Sequence, residues 1–178
     1  MKKYLAAIIG VIILFGLDQW SKILIYNNLS DGRVIPVIGD AFVLEYLENR
    51  GAAFGVLQNR QFLLIIVSLL ILLVLTIAYI KLPPSPKFHI LRFLSVMLIA
   101  GAAGNMCDRI FRGYVVDFLY FKWIDFPVFN IADCYVVVSA VSIAILMMFY
   151  YKEEDYHIDN KQSKTDKKDT PPRQDSQR

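Results

Sequence analysis

Residues 104–133 read GNMCDRIFRGYVVDFLYFKWIDFPVFNIAD and form a polar stretch between two apolar segments. The stretch contains four acidic residues, three basic residues and two asparagines. Polar groups at the edge of a bilayer are costly and are seldom retained there without a use. This stretch therefore marks where two membrane spans end, and it is the first candidate for a functional site.

Apolar blocks with the length of a membrane span lie on both sides of this stretch. The 178 residues are 56% hydrophobic with a mean hydropathy of +0.46, which exceeds the usual value for a soluble domain. Crossing the hydrocarbon core takes about 20 residues. Four segments qualify as spans: residues 4–17 with a helical continuation to about 26, 62–80, 93–107 extended back to 88, and 134–151. We predict an all-α membrane protein with four transmembrane helices in one domain, residues 1–151.

The distribution of charge predicts the orientation of these spans. The N-terminus and the loop between the second and third spans carry only basic residues: Lys2, Lys3, Lys81, Lys87 and Arg92. The two loops on the other side, with the end of the first helix, hold seven basic and nine acidic residues. By the positive-inside rule the first group is cytoplasmic, so both termini are expected inside the cell and the polar stretch outside.

The two ends of the chain need separate interpretations. Lys2 and Lys3 before an apolar stretch imitate a secretory signal, but no small-x-small cleavage site follows, which favours a retained first span over a cleaved signal. Residues 152–178 contain seven basic and seven acidic residues and almost nothing apolar. Such a segment cannot bury enough surface to fold, so we expect a disordered cytoplasmic tail.

Residues 27–61 are too long for a structureless loop inside a compact protein. Residues 34–38 and 42–47 are rich in β-branched and aromatic side chains and are separated by Gly39-Asp40, which predicts a small hairpin-like sheet between the first two helices. Asn49 and Gly51 follow. Glycine permits a tight turn and an asparagine amide can hold a peptide backbone, although an ordinary strand-to-turn connection would look the same.

Charged residues near the outer helix ends are candidates for supporting a site. Asp18 and Lys22 are four positions apart and share a helix face. They either form an intrahelical ion pair or orient a neighbouring loop. The second alternative is open because charged residues in membrane helices usually face the bundle interior. Asn105 is followed by the Asp108-Arg109 pair, which is more typical of structure than of catalysis. We expect Arg109 to tie the loop to the helix ends through bidentate hydrogen bonds.

Asp117 and Asp133 have contrasting surroundings. Asp117 lies in the apolar run Val115–Phe118, so it is either a surface carboxylate that snorkels to water or a group in a drier pocket, where desolvation would favour its protonated form. Asp133 lies at the predicted start of the fourth span, where the helix N-terminus favours a carboxylate. Asn130 as N-cap with Asp133 three residues later is also an ordinary capping box. One acid pushed toward protonation and one toward ionisation suits general acid–base catalysis, so we interpret the two as a candidate catalytic pair.

Five motifs in order resemble those of the lipoprotein signal peptidases, the bacterial type II signal peptidases, over residues 4–151. They are DQWSK (18–22), NRGAAF (49–54), GNMCDR (104–109), VVDF (115–118) and FNIAD (129–133). The resemblance implies that Asp117 and Asp133 are the catalytic pair. It also implies a supporting set around them: Asp18, Lys22, Asn49, Gly51, Asn105, Asp108, Arg109 and Asn130.

The resemblance also implies a substrate and a location. Such enzymes act on diacylglyceryl-modified prolipoproteins, cut just before the lipidated cysteine, and work in the outer leaflet of the cytoplasmic (inner) membrane. They are inhibited by globomycin-type peptides. One aspartate would take a proton from the attacking water and the other would protonate the scissile carbonyl, with Asp133 favoured as the base. We expect no metal, no cofactor, no nucleic-acid partner and a monomer in the phospholipid bilayer.

Other interpretations stay open at this point. A small transporter would use intramembrane acids as a proton relay, although here none of them lies mid-span. A non-catalytic scaffold would use the polar residues as caps and ion pairs. A serine–lysine peptidase would need Ser21 and Lys22 together, but neighbouring residues point to different helix faces.

Cysteine and histidine add little. Cys107 and Cys134 would form a disulfide only in an oxidising compartment, and two small buried apolar side chains are the simpler interpretation. His89 and His157 are isolated in the sequence, which excludes a zinc site of the His-Glu-x-x-His kind.

Overall fold

The computed structural model describes residues 2–51, 57–152 and 154–155. Its elements are, in order, α1 (Lys2–Leu29), β1 (Ile35–Ile38), β2 (Phe42–Asn49), α2 (Gln61–Lys81), α3 (His89–Phe111), β3 (Val115–Phe121) and α4 (Ile131–Phe149). In this part of the chain four helices are long and apolar enough to cross a membrane. The predicted helical fold with four spans is confirmed.

The central helix is α3, which packs against α1, α2 and α4. Glycines allow the close approach. A Cβ atom on Gly101 would lie 2.5 Å from the carbonyl oxygen of Ala132 in α4, and a Cβ atom on Gly104 would lie 2.5 Å from Asp18 Oδ2 in α1. Small residues at these two positions let the helices approach closely, as is common between membrane helices.

The sheet has three antiparallel strands in the order β1-β2-β3, and not only the predicted hairpin. Pairing of β1 with β2 confirms the hairpin. The third strand comes from the connection between α3 and α4, which the sequence analysis treated as a loop. A strand whose partner lies far away in the chain leaves only a weak local signal, because β-propensity depends on its neighbours in the sheet.

A β-bulge in β2 decides which of its side chains face Asp117. Leu44 pairs with Leu119 and Leu47 pairs with Asp117, so three steps along β2 oppose two steps along β3. The extra residue shifts the alternation of side chains between the two faces. As a result Asn49, two residues after Leu47, shares a face with Asp117.

The other face of β3 attaches the sheet to the helices. Val116 and Phe118 are buried in a cluster with Ile25 and Leu29 from the last two turns of α1. Burial of such side chains stabilises by roughly 1.5–3 kcal/mol each. Asp117 is thus held between two anchored residues, which limits its freedom to move relative to α1.

The predicted disordered tail, residues 152–178, lies almost entirely outside the described residues. Where the chain is described, residues that follow α4 contact the segment directly before α3. Asp155 Oδ2 accepts a hydrogen bond from Lys87 Nζ at 2.6 Å, and the ring of Tyr151 stacks on Phe88 with centroids 4.9 Å apart.

Candidate active site

Asn130 contacts both Asp117 and Asp133. Its Nδ2 donates to Asp117 Oδ1 at 2.6 Å, and its backbone N–H donates to Asp133 Oδ2 at 3.1 Å. Asn130 has no exposed surface and Asp117 is 1% exposed. One buried residue therefore brings together two acids that come from β3 and from the first turn of α4.

The start of α4 explains why Asn130 can bridge the pair. Asn130 is the N-cap, and its Oδ1 accepts from the Asp133 backbone N–H at 2.9 Å. Together with the bond from the Asn130 backbone N–H to the Asp133 carboxylate, this is the predicted capping box. Only the carbonyl oxygen of the Asn130 amide is needed for the cap, so the amide N–H₂ is available to Asp117. The structural and the functional interpretation of this motif are compatible.

Asp117 has a second partner on β2. Asn49 Nδ2 donates to Asp117 Oδ2 at 2.9 Å, and Gly51 N–H donates to Asn49 Oδ1 at 2.9 Å. The turn after β2 therefore orients the Asn49 amide so that its N–H₂ group faces the acid. The rest of this motif, residues 52–54, lies outside the described residues.

Arg109 ties α3 to this turn, as predicted. Its Nη2 donates to Gly51 O at 3.2 Å and its Nη1 to Asn105 O at 3.3 Å. The acceptors are two separate backbone carbonyls, so Arg109 does not form the bidentate contact that was expected. Asp108 pairs with Arg112, whose Nη1 lies 3.2 Å from Asp108 Oδ1. This corrects the predicted Asp108-Arg109 pair, because residues four apart share a helix face and neighbours do not.

A buried cation, the ammonium group of Lys22, supports the acid pair through Asn105. Lys22 Nζ lies 2.9 Å from Asp18 Oδ2, 2.9 Å from Asp108 Oδ2 and 2.9 Å from Asn105 Oδ1. The side chains of Lys22, Asp18 and Asp108 have no exposed surface. Asn105 Nδ2 in turn donates to Asp133 Oδ1 at 2.7 Å. Lys22 therefore fixes which end of the Asn105 amide faces Asp133.

Asp18 forms the intrahelical ion pair, and its second contact is with the start of a helix and not with the loop that the other alternative expected. It pairs with Lys22 within α1, and its Oδ1 accepts from the backbone N–H of Ala132 at 3.0 Å. That N–H belongs to the first turn of α4, where backbone donors lack a partner within the helix. Asp18 thereby docks the start of α4 against α1.

Sequence reasoning did not single out two further residues of this network. Gln19 Nε2 donates to Gly104 O at 3.3 Å and to Asp108 Oδ1 at 3.3 Å, and Arg112 pairs with Asp108. The spacing of Arg112 from Asp108 was a usable signal, since it is the same spacing as in the Asp18–Lys22 pair. Gln19 had no local signal beyond its place beside Asp18.

The two cysteines, Cys107 and Cys134, are both free thiols. The disulfide that the sequence left open is not formed. Neither thiol takes part in the hydrogen bonds of the acid pair described above, which agrees with the simpler interpretation of two packing side chains.

The position of Asp117 changes its acidity. Burial, together with the charge of Asp133, raises the pKa of Asp117 to about 7, although the amides of Asn49 and Asn130 oppose this rise by donating to the carboxylate. A carboxyl group with this pKa is protonated in a substantial fraction near neutral pH. The direction of this shift is the one that desolvation in an apolar run predicts.

Gly104→Ala is expected to destabilise the protein, because the added methyl would lie 2.5 Å from Asp18 Oδ2. Asp18 is held by Lys22 and the backbone of α4 and cannot move away freely. Overpacking of this kind costs about 1–3 kcal/mol, so the midpoint of thermal unfolding in detergent should fall by several degrees. Gly16→Ala is the matched control, since nothing lies within 4 Å of the added Cβ. Equal midpoints for the two variants would contradict the packing argument.

Comparison with known proteins identifies the family. The family model described as signal peptidase (SPase) II matches residues 10–149. The chain is 48% identical to a lipoprotein signal peptidase of Clostridioides difficile, covering 80% of this chain and 95% of the relative. It is 42% identical to a lipoprotein signal peptidase of Caldanaerobacter subterraneus, covering 80% and 96%.

A solved structure of a bacterial membrane enzyme has the same fold. It superposes with a TM-score of 0.74 at 29% sequence identity, covering 83% of this chain and 92% of the other. The motifs quoted from the sequence, the sheet and the four spanning helices, apart from the first residues of α1, fall inside the region matched by the family model. This bacterial multi-pass membrane protein belongs to the signal peptidase II family.

Proposed function

We propose that this protein is an aspartic endopeptidase that removes the signal peptide from diacylglyceryl-modified prolipoproteins just before the lipidated cysteine. Membership in the family supports a peptidase that acts on prolipoproteins in a membrane. The observation that carries the aspartic mechanism is the pairing of Asp117 and Asp133 through Asn130. Both acids lie at the end of the bundle where the sheet covers the helices.

The surroundings of the two acids support different roles. Asp133 is partly exposed and begins a helix, and two N–H donors hold its oxygens. These N–H donors stabilise a negative charge on Asp133, and we assign it the role of accepting a proton from an attacking water. Asp117 is buried and its pKa is raised to about 7. It can therefore donate a proton to the carbonyl oxygen and later help the amine to leave.

The three asparagines support this division by orienting the acids. Asn49 donates to Asp117, Asn105 donates to Asp133, and Asn130 donates to both. In the sequence analysis all three belonged to the set of residues supporting the site. Their carbonyl ends are occupied as well, because each accepts an N–H bond from a neighbouring residue. Preorganised donors of this kind lower the reorganisation that the chemical step requires.

Further parts of the proposal concern location and partners. Both termini are cytoplasmic and the acid pair lies toward the outer leaflet, in accordance with the positive-inside rule. The exposed apolar side chains of β1 and of the segment after β3, among them Val37, Ile38, Trp123 and Ile124, would contact the lipid-anchored peptide. The protein works as a monomer of one membrane domain and is inhibited by globomycin-type peptides.

Cleavage of a lipidated precursor by the purified protein in lipid nanodiscs tests the function. We expect cleavage of the diacylglyceryl form and at least about tenfold slower cleavage of an unlipidated precursor, because the lipid places the peptide at the bilayer surface. The mass of the product should begin at the lipidated cysteine. Globomycin should block the reaction and a chelator should leave it unchanged.

Other outcomes would contradict the proposal in distinct ways. Chelator-sensitive cleavage would require a metal mechanism. Cleavage at another bond would overturn the proposed cleavage site. Ion flux in proteoliposomes without any cleavage would favour a carrier, which uses intramembrane acids as a relay.

The raised pKa of Asp117 predicts an alkaline limit for the reaction. Its protonated form is required, and this form is present below a pKa of about 7 and lost as pH rises through that value. We expect kcat/KM to fall about tenfold per pH unit above this midpoint. Measurement of kcat/KM from pH 5 to pH 9 checks it, and a flat profile across this range would contradict the role of Asp117 as the acid.

Asn49→Ala should move this limit to higher pH. The Asn49 amide stabilises the Asp117 carboxylate, so its removal raises the pKa of Asp117 further. Asn28→Ala is the matched control, because the Asn28 amide donates to Leu24 O on an exposed part of α1. A midpoint that stays in place or moves to lower pH in the Asn49 variant would show that this amide does not act on Asp117.

A further inference from the structure

A cavity of about 470 Å³ lies between α1, α2 and α3, at the end of the bundle opposite the acid pair. Its wall is almost entirely apolar and includes Gly10, Leu14 and Phe93. A second apolar cavity of about 370 Å³ adjoins it and shares Ala7 and Val96 with it. The proposed cleavage mechanism uses neither cavity.

Arg92 is the charged group in the wall of the larger cavity. Arg92 is 8% exposed. Its Nη2 donates hydrogen bonds to the carbonyl oxygens of Leu82 and Pro83 at 2.7 Å each. Its guanidinium group lies 5.5 Å from the centre of the Tyr79 ring. Its Nη1 is buried and has no hydrogen-bond partner among the described residues. Leaving such a donor unpaired is costly, and more so for a charged group.

We propose that these cavities bind one anionic phospholipid, with its phosphate at Arg92 and its acyl chains in the two apolar cavities. Guanidinium is well suited to phosphate, because its N–H groups form a planar fork. From Ala6 to Leu14 the wall formed by α1 is about 12 Å long, which accommodates the upper part of an acyl chain. Two adjoining cavities match a lipid that has two chains.

The charge around the cavity favours this occupant. Residues 81–92 carry Lys81, Lys87 and Arg92 and no acid. Within the described residues Lys87 is paired with Asp155, whereas Arg92 forms no salt bridge there. Basic pockets between spans on the cytoplasmic side bind anionic head groups, and this end faces the cytoplasm in the proposed orientation. A signal peptide is a poorer occupant, because its positively charged n-region would meet Arg92.

Native mass spectrometry tests the proposal on the full chain, purified in detergent and titrated with phosphatidylglycerol or with phosphatidylcholine of the same acyl chains. We expect phosphatidylglycerol to be retained about tenfold more than phosphatidylcholine, because both lipids have the phosphate but the choline group adds a positive charge close to the Arg92 guanidinium, which repels it. Arg92→Gln should remove this preference. Ala7→Phe, which fills the space shared by both cavities, should lower retention although Arg92 remains.

Lys81→Gln is the matched control, since Lys81 is exposed at the same end of the bundle and does not line the cavity. It should change retention less than twofold, roughly the effect of a screened surface charge. Equal retention of the two lipids, full retention by both the Arg92 and the Ala7 variants, or an equal loss in the Lys81 variant would each overturn the proposal. A raised KM for lipidated precursor in Arg92→Gln, with phosphatidylglycerol retention intact, would instead identify a substrate groove. The lipid readout does not require cleavage, so it stands apart from the peptidase proposal.

Discussion

Asp117→Asn is expected to lower kcat/KM for a lipidated precursor by about 10³-fold or more, and Asp133→Asn should do the same, because each removes a proton donor or acceptor of the reaction. The amide has nearly the same shape as the acid but cannot exchange a proton. In Asp117→Asn one of the two bonds from Asn49 and Asn130 is also lost, since the new N–H₂ group meets a donor. That loss costs only about 1 kcal/mol.

The fold should survive both substitutions. The pKa of Asp117 is raised to about 7 by burial, so a neutral group is well tolerated at that position. The thermal unfolding midpoint should therefore change by only a few degrees while activity is lost. Activity and midpoint are measured on the same preparation, which separates a catalytic defect from misfolding.

Asp125→Asn is the matched control for the acid pair. Asp125 comes from the same connection between α3 and α4, and its carboxylate accepts from Tyr120 Oη at 2.7 Å on the exposed side of the sheet. We expect its kcat/KM to stay within about twofold of the wild type, as for a surface substitution. Retention of activity in either of the Asp117 and Asp133 variants would rule out the dyad and return the site to a structural role.

Lys22→Met is expected to have the largest effect on stability. It leaves the buried carboxylates of Asp18 and Asp108 without the cation that they share, although Asp108 keeps its pair with Arg112. Removing one partner of a buried ion pair costs about 3–5 kcal/mol, so the thermal midpoint should fall by roughly 10 °C. Activity should fall as well, because Asn105 loses the contact that orients it toward Asp133.

Two further variants serve as comparisons for Lys22→Met. Arg33→Met removes an exposed ion pair between Arg33 and Asp31, whose side chains are 68% and 57% exposed respectively. This substitution should lower the free energy of unfolding by at most about 1 kcal/mol. Asp18→Asn combined with Lys22→Met should recover part of the lost stability, because one uncompensated charge is removed. If Lys22→Met and Arg33→Met lowered the midpoint equally, the buried cation would not support the site as argued.

Several features follow from local sequence alone. The four spans are readable because the thickness of the bilayer sets the length of an apolar helix. The Asp18–Lys22 pair and the capping box of Asn130 and Asp133 are also readable, since both depend on residues three or four positions apart whose geometry the helix itself imposes. The preference of Asp117 for its protonated form followed from the apolar run around it.

Other features depend on contacts between distant parts of the chain, and only the tertiary structure decided them. The pairing of β2 with β3 and the bulge between Leu44 and Leu47 turn Asn49 toward Asp117, although alternation along β2 alone would place it on the opposite face. The link from Lys22 through Asn105 to Asp133 joins three helices. The physical reason is that a side-chain amide has a donor end and an acceptor end, and which end faces an acid is set by neighbours that the local sequence does not contain.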